Sequence, residues 1–229
     1  MKMIFICHSF ESKNLDNLIE SFSEQSNKKW KLYLITDENL NLQNNNDDNI
    51  NHVKLGAVSK LSKIIECARK YENQEDVVVS VFSGLSYLCN ERTVSLILKE
   101  YQNNEELDTL WTANTLQLNG TNLSRSYPDL KNLSPYQFPW VSSNLMTWRA
   151  TILKKVSDAN YKDIENLWFN CQNFDQLLYL PILYVSKKKR YIDDTCFLYT
   201  SDNFLLDMKH EEENKKLVNF VRARGFVDE

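Results

Sequence analysis

The chain has 229 residues, of which 42% are hydrophobic, and a formal net charge of −4. This length and apolar content suit one folded α/β domain and exclude a disordered chain. The acidic balance argues against a protein that binds nucleic acid over its whole surface, although a local basic groove remains compatible with it.

The sequence shows no sign of a membrane span, a signal peptide or a cysteine framework. No run approaches the roughly 20 apolar residues of a membrane span, and residues 1–7 predict a first strand rather than a signal peptide. The five cysteines are far apart and form no C-x-x-C pair, which argues against a disulfide framework and a structural zinc site. We therefore expect a cytoplasmic protein in a reducing compartment.

The first ninety residues alternate predicted strands and helices. Strands are predicted at residues 2–7, 30–35, 51–54 and 76–82, and helices where Leu18 and Ile64 belong to apolar patterns of helical spacing. This order predicts a mostly parallel sheet covered on both faces. In such sheets ligands bind beyond the carboxyl ends of the strands, which here are residues 7–9, 36–38 and 83–86.

The second half is less regular. Helices are predicted around Val94–Tyr101, at 174–183 and at 207–225, and strands at 108–118, 191–192 and 196–199. Residues 120–139 form a long polar loop that we expect to face a ligand or to be mobile. Because there is no internal repeat and no linker, the chain is interpreted as one domain.

Several separated segments follow one another in the order of a known family. The strand at 77–82 leads into Ser83-Gly84-Leu85-Ser86-Tyr87-Leu88, and residues 143–149 read Ser-Asn-Leu-Met-Thr-Trp-Arg. Residues 173–176, Asn-Phe-Asp-Gln, precede a helix that contains Pro181. Together with the strand, helix and second strand between residues 4 and 37, these segments resemble the family 2 glycosyltransferases, including their short viral and bacterial members.

The resemblance implies a GT-A-like fold, in which a central, mostly parallel mixed sheet is flanked by helices over residues 1–229. It implies a nucleotide-binding half at 1–90 and, at 91–229, an acceptor-side half with a C-terminal helix. The implied enzyme moves a sugar from a nucleotide sugar, first of all a UDP-sugar, to a hydroxyl group of a glycan or a similar acceptor, with inversion.

The resemblance also implies roles for single residues. Asp175 stands where the family has its catalytic base, a carboxylate that takes the proton of the acceptor hydroxyl; a helix-capping aspartate is the alternative. Asn144 replaces a histidine of the family, and Tyr184 a glutamate. The donor-side candidates are His8, Asp37, Lys63, Ser83, Gly84 and Ser86, and the acceptor-side candidates are Asn144, Trp148, Arg149 and Tyr184. A structural role at a strand end or in a turn is the alternative for His8 and Asp37.

The metal-binding motif departs from the family pattern. The family holds Mn²⁺ or Mg²⁺ on acids directly after the central strand, whereas Ser83, Leu85 and Ser86 supply no charge. Three interpretations stay open. The enzyme is metal-independent and uses a lysine or arginine, the metal is bound by other acids or by His210, or the domain has kept binding and lost transfer. The basic candidates are Lys60, Lys63, Arg149 and Lys209, each with a solvated helix face as the alternative.

Two further functions compete with glycan transfer. The acceptor is a hydroxymethylated or already glycosylated DNA base, as in phage DNA glycosylation, or the chain is a non-catalytic sugar- or nucleotide-binding pseudoenzyme. A basic groove beside Asp175 would favour DNA. Four aromatic residues near the long loop are expected to stack on sugars or bases: Tyr127, Tyr136, Phe138 and Trp140. A buried edge of the core is the alternative for residues 138–140.

Overall fold

The computed structural model describes residues 1–8, 15–36, 47–126, 134–140, 145–170, 175–200 and 210–228. Its strands form one eight-stranded sheet in the order β3-β2-β1-β4-β7-β6-β8-β5. The strands are β1 Lys2–His8, β2 Trp30–Thr36, β3 Ile50–Lys54, β4 Val77–Ser83, β5 Tyr87–Leu88, β6 Thr109–Leu116, β7 Met146–Arg149 and β8 Lys189–Tyr199. The helices are α1 Leu15–Ser23, α2 Lys60–Arg69, α3 Thr93–Asn103, α4 Asp175–Val185 and α5 Glu211–Arg224.

The strands of the first half are parallel. β1 pairs with β2 on one side and with β4 on the other, and β3 extends the sheet beyond β2. The antiparallel β7 then joins β4 to β6, and β8 continues parallel to β6. The prediction of a mostly parallel sheet is therefore confirmed, and the carboxyl ends of β1, β2 and β4 lie at one edge, which we call the carboxyl edge.

Helices cover both faces because successive side chains of a strand point to opposite sides. Met3 and Phe5 of β1 pack in one core with α1 and α3, whereas Ile4 and Ile6 pack in the other with α2 and α4. The central strands are buried on both sides, so they read as continuous apolar runs rather than as alternating ones.

Two elements of the second half differ from the prediction. β7 was not predicted as a strand, because its four residues were interpreted as part of a binding segment. β8 is one strand rather than two short ones: its pairing with β6 shifts register after Ile192, so that Asp193 and Asp194 are accommodated in an irregularity of the ladder. A bulge of this kind lets polar residues interrupt an apolar pattern without ending the strand.

Around the long predicted loop, the described part contains a 3₁₀ turn at Pro135–Gln137, and its start, Ser134, accepts a hydrogen bond from the backbone N–H of Tyr136. Tyr136 and Phe138 are buried, which supports the interpretation of these aromatics as an edge of the core. Trp140 is partly buried against the same core, and Tyr127 lies outside the described residues.

Among the helices that the structure describes, none has the length and apolar character that crossing a bilayer requires.

Candidate functional site

The carboxyl edge joins residues that follow β1 and β4. His8 lies directly opposite Ser83 in the parallel pairing of these strands. The backbone N–H of Gly84 donates to the carbonyl of His8 over 2.8 Å, and the N–H of Ser86 donates to the carbonyl of Ser83 over 3.2 Å, which turns the chain sharply at the end of β4. The structure thus brings together four of the donor-side candidates: His8, Ser83, Gly84 and Ser86.

The imidazole of His8 is buried at the carboxyl edge. Its side chain is only 4% exposed. Burial, and then the charge of Lys60, lower the pKa of His8 from 6.5 to about 3. Because the ring is neutral at physiological pH, it can take part in hydrogen bonds but cannot neutralise an anion. The structural alternative for His8 and a hydrogen-bonding role at the edge remain compatible with this placement.

The turn after β4 carries hydroxyl groups and no acid. Ser86 and Leu85 are buried, and the carbonyl of Leu85 accepts a hydrogen bond from the hydroxyl of Thr200. The Ser83 hydroxyl oxygen is also buried and makes no hydrogen bond to the described residues. Hydroxyl oxygens without carboxylates are poor ligands for Mg²⁺ or Mn²⁺, so this turn does not fit the divalent cation that the family resemblance implies.

The start of α2 faces the same edge. α2 follows β3 and packs on β1 and β2, and the hydroxyl of its cap residue Ser59 accepts the N–H of Ser62 over 3.1 Å. Lys60 is the first residue of this helix, and its charge acts on His8. Lys63, one turn further, forms an ion pair of 2.6 Å with Glu66 of its own helix.

Asp175 is the first residue of α4 and is partly buried. One helical turn later, the Tyr179 hydroxyl donates to the carbonyl of Val81 over 2.7 Å and accepts the N–H of Val81 over 3.2 Å. It also lies 3.1 Å from the carbonyl of Met146. The paired residues of β4 and β7 end at Ser80 and Thr147, so the phenol fills the gap where these strands separate.

The hydrogen bonds of the Tyr179 hydroxyl hold the first turns of α4 against the end of β4. Residues at i and i+4 share a helix face, so Asp175 lies on the side of α4 that packs against the end of β4. The start of α4 is also held from outside: Arg222 of α5 donates to the side-chain oxygen of Gln176 over 2.8 Å and to the carbonyl of Tyr136 over 3.0 Å. Asp175 is therefore carried by a helix end that several contacts position at the carboxyl edge.

Trp148 and Arg149, two acceptor-side candidates, lie elsewhere. Trp148 is fully buried and packs edge-on against the Tyr179 ring, with centroids 5.6 Å apart. Arg149 pairs with Val78, near the amino end of β4, at the opposite edge of the sheet. Its guanidinium donates to the carbonyls of Leu107, Tyr101 and Asn104. Trp148 thus packs in the core between β4 and α4, and Arg149 lies at the edge of the sheet opposite His8 and Ser83.

Tyr184 is not brought close to Asp175 either. Tyr184 lies nine positions after Asp175 along α4, or about 13.5 Å at 1.5 Å per residue. The Tyr184 ring stacks on Phe226 with centroids 4.4 Å apart and is 45% exposed. It therefore belongs to a contact between α4 and the C-terminal segment. Asp37, Asn144 and Lys209 lie outside the described residues.

His210 precedes α5, and its Nδ1 lies 3.7 Å from a carboxylate oxygen of Glu213 in the first turn. Within the described parts of the chain, no group of three or more His, Cys, Asp or Glu side chains is arranged to hold a metal ion. His210 is thus not part of a ligand set among these residues.

Tyr179 is not among the residues predicted from the sequence, and Lys60 is one of four basic candidates. The spacing of four residues between Asp175 and Tyr179 is a sequence signal that both side chains share a face of α4. Lys60 follows Ser59, a typical helix cap, and this pattern places a lysine at a helix start. Which strand ends these two helices meet is decided by the sheet order.

No protein-family model matches the chain, and neither does the sequence of any curated protein. Its fold is that of the GT-A-type glycosyltransferases. S. aureus TarS 1–349 in complex with UDP-GlcNAc matches with a TM-score of 0.60 and 16% identity over 88% of this chain and 59% of that one. The structure of S. aureus TarS 1–349 in complex with UDP matches with a TM-score of 0.63 and 15% identity, over 100% of this chain and 67% of that one.

The mannosyltransferase PcManGT from Pyrobaculum calidifontis, in complex with GDP-Man and Mn²⁺, matches with a TM-score of 0.56 and 10% identity, over 86% of this chain and 56% of that one. The chain therefore spans 59% of the TarS 1–349 chain with UDP-GlcNAc and 56% of PcManGT. At such identities the likeness concerns the fold. The predicted fold class is confirmed.

Proposed function

We propose that this protein is a glycosyltransferase that transfers a sugar from a nucleotide sugar, first of all a UDP-sugar, to a hydroxyl group of a glycan or similar acceptor. The observation that carries the proposal is the convergence of His8, Ser83 and the start of α2 at the carboxyl edge of a GT-A-type sheet. Ligands of open α/β sheets bind at this edge, and three solved neighbours with this fold are complexes with UDP-GlcNAc, with UDP, and with GDP-Man and Mn²⁺.

In the proposed reaction, an acceptor hydroxyl attacks the anomeric carbon from the face opposite the leaving group. A C–O bond to the acceptor forms, the C–O bond to the diphosphate breaks, and the nucleoside diphosphate leaves. Asp175 takes the hydroxyl proton. Its position at the start of α4, fixed through Tyr179 and Arg222, supports this role, because a general base must be held within hydrogen-bond reach of the proton that it removes.

The residues 1–90 form the nucleotide-binding half in this proposal, and 91–229 form the acceptor-side half. The latter contributes α4 and the C-terminal helix α5. Two classes of acceptor are compatible with this proposal. One is a glycan or similar hydroxyl compound, and the other is a DNA base that is hydroxymethylated or already glycosylated.

The activity is tested with a panel of UDP- and GDP-sugars, each measured for binding, for hydrolysis and for transfer to glycan and hydroxymethylated-DNA acceptors. Measurements with EDTA, Mg²⁺ and Mn²⁺ run in parallel. Binding of one donor with transfer or slow hydrolysis is the expected result. If no nucleotide sugar binds under any condition, the proposal is wrong.

The role of Asp175 is tested with Asp175→Asn. We expect kcat to fall by about 10²- to 10⁴-fold, the usual contribution of a general base, while the Kd for UDP stays unchanged. Asp76→Asn is the matched control, because Asp76 is exposed and precedes β4 at the opposite edge of the sheet. Unchanged kcat in Asp175→Asn would refute the assignment of the base.

The absence of acids from Ser83 to Ser86 favours a second candidate, a non-catalytic module that binds nucleotide sugars. This candidate predicts donor binding without turnover in every acceptor assay. It also predicts that Asp175→Asn leaves the cellular phenotype intact as long as the folded protein persists.

A further inference from the structure

The turn after β4 places two hydroxyl groups where a diphosphate would need positive charge. A nucleoside diphosphate carries two or more negative charges, which must be neutralised when it leaves water. Ser83 and Ser86 are uncharged, and the buried His8 is neutral at physiological pH. The described residues thus supply neither a carboxylate set for a cation nor an imidazolium at this point of the carboxyl edge.

Lys60 brings positive charge to the same edge. It opens α2, and its charge acts on the buried His8 ring, which lies opposite Ser83. The first turn of α2 contains no acidic residue, so the charge of Lys60 adds to the partial positive charge of the helix start. The partial positive charge of a helix start and the charge of a lysine beside it both attract an anion.

The Ser83 hydroxyl is a second, independent indication of a ligand. Its oxygen is buried and makes no hydrogen bond to the residues that the structure describes. A buried hydroxyl without a partner is costly. A phosphate oxygen is an acceptor that would satisfy it, and Ser83 is the residue of β4 that pairs with His8, next to the charge of Lys60.

We infer that the site binds the diphosphate of its nucleotide sugar without a divalent cation, with Lys60 as the countercharge and the Ser83 hydroxyl as a hydrogen-bond donor. This inference rests on the proposed function and specifies how the donor is held. The turn after β4 has no acid to hold a cation, and in this inference the Lys60 ammonium group neutralises the diphosphate. Donor binding then requires neither Mn²⁺ nor Mg²⁺.

The test is a calorimetric titration of the full chain with UDP, GDP and uridine, in EDTA and in Mn²⁺. The variants are Lys60→Gln, Lys60→Arg and the control Lys70→Gln, which alters an exposed lysine at the other end of α2. Lys60→Arg keeps the charge and guards against a general packing effect, and a thermal melt of each variant checks the fold.

We expect one diphosphate to bind equally in EDTA and in Mn²⁺. Lys60→Gln should weaken its binding by about 10- to 100-fold, the range for one charge-assisted hydrogen bond, and should leave uridine binding unchanged. Lys60→Arg should bind nearly as the wild type does, and Lys70→Gln should bind identically.

Two results overturn the inference while the proposed function survives: binding that appears only with Mn²⁺, or diphosphate affinity that is equal in Lys60→Gln and the wild type. If neither diphosphate binds in EDTA or in Mn²⁺, the proposed function fails together with the inference. These outcomes differ, so the two ideas are tested separately.

Discussion

Replacing His8 with glutamine probes how the carboxyl edge holds a buried imidazole. In the folded protein, burial lowers the pKa of His8 to about 3, whereas the unfolded chain has the ordinary value of 6.5. Between these two values the unfolded state binds the proton and the folded state does not. Stability therefore falls as the pH drops below about 6.5.

The loss of unfolding free energy at pH 5 depends on the pKa of His8 in the unfolded chain, because the ring in the folded protein is still neutral at that pH. Protonation stabilises the unfolded state by 1.36 kcal/mol for each pH unit below its pKa. Between pH 7.5 and pH 5, His8 alone should lower the free energy of unfolding by about 2 kcal/mol. Glutamine does not ionise, so His8→Gln should lack this contribution even if its stability at pH 7.5 differs.

The assay is urea unfolding of both proteins at pH 7.5 and pH 5, followed by tryptophan fluorescence. The loss between the two pH values should be about 2 kcal/mol larger in the wild type than in His8→Gln.

Equal losses in the wild type and in His8→Gln would refute the reasoning. A direct NMR titration covers the case in which the variant does not fold: the His8 ring signals of the wild type should not shift between pH 7.5 and pH 5. A ring that titrates near 6.5 in the folded protein would contradict its burial.

Two further substitutions test the contacts that position the site. Tyr179→Phe removes the hydroxyl that bonds to backbone groups of β4 and β7; it should lower the free energy of unfolding by about 1–3 kcal/mol, whereas Tyr184→Phe, at a half-exposed ring, should change it little in the same urea assay. Arg149→Met removes hydrogen bonds to carbonyls at the opposite edge. It should lower the free energy of unfolding by about 2 kcal/mol and leave the Kd for UDP unchanged. A Kd that rises as it is expected to do in Lys60→Gln would contradict the placement of Arg149.

The first half of the chain was predictable because its strands are central and parallel. β1 and β4 are buried on both faces, so their sequences are unbroken apolar runs, and the helices between them carry clear apolar stripes. The rule that ligands meet carboxyl strand ends then pointed to His8 and Ser83. These two residues lie opposite each other in the pairing of β1 and β4.

The second half was harder because its signals are short or interrupted. β7 has four residues, too few for a periodic pattern, and the acidic pair inside β8 suggested two strands where an irregular ladder makes one. The segment 143–149 was interpreted by resemblance as a binding surface. Its described part instead runs through the core as β7, which takes Trp148 and Arg149 away from the carboxyl edge.

By itself, the sequence determined the class of sheet, the strand ends that share one edge and the lack of acids from Ser83 to Ser86, because each depends on local pattern or composition. The tertiary structure decided which charged side chains reach that edge. Of the basic candidates that it describes, Lys60 lies near His8, Lys63 pairs with its own helix, and Arg149 lies across the sheet. Strand order and helix packing set these distances, and neither is encoded in the spacing of residues along the chain.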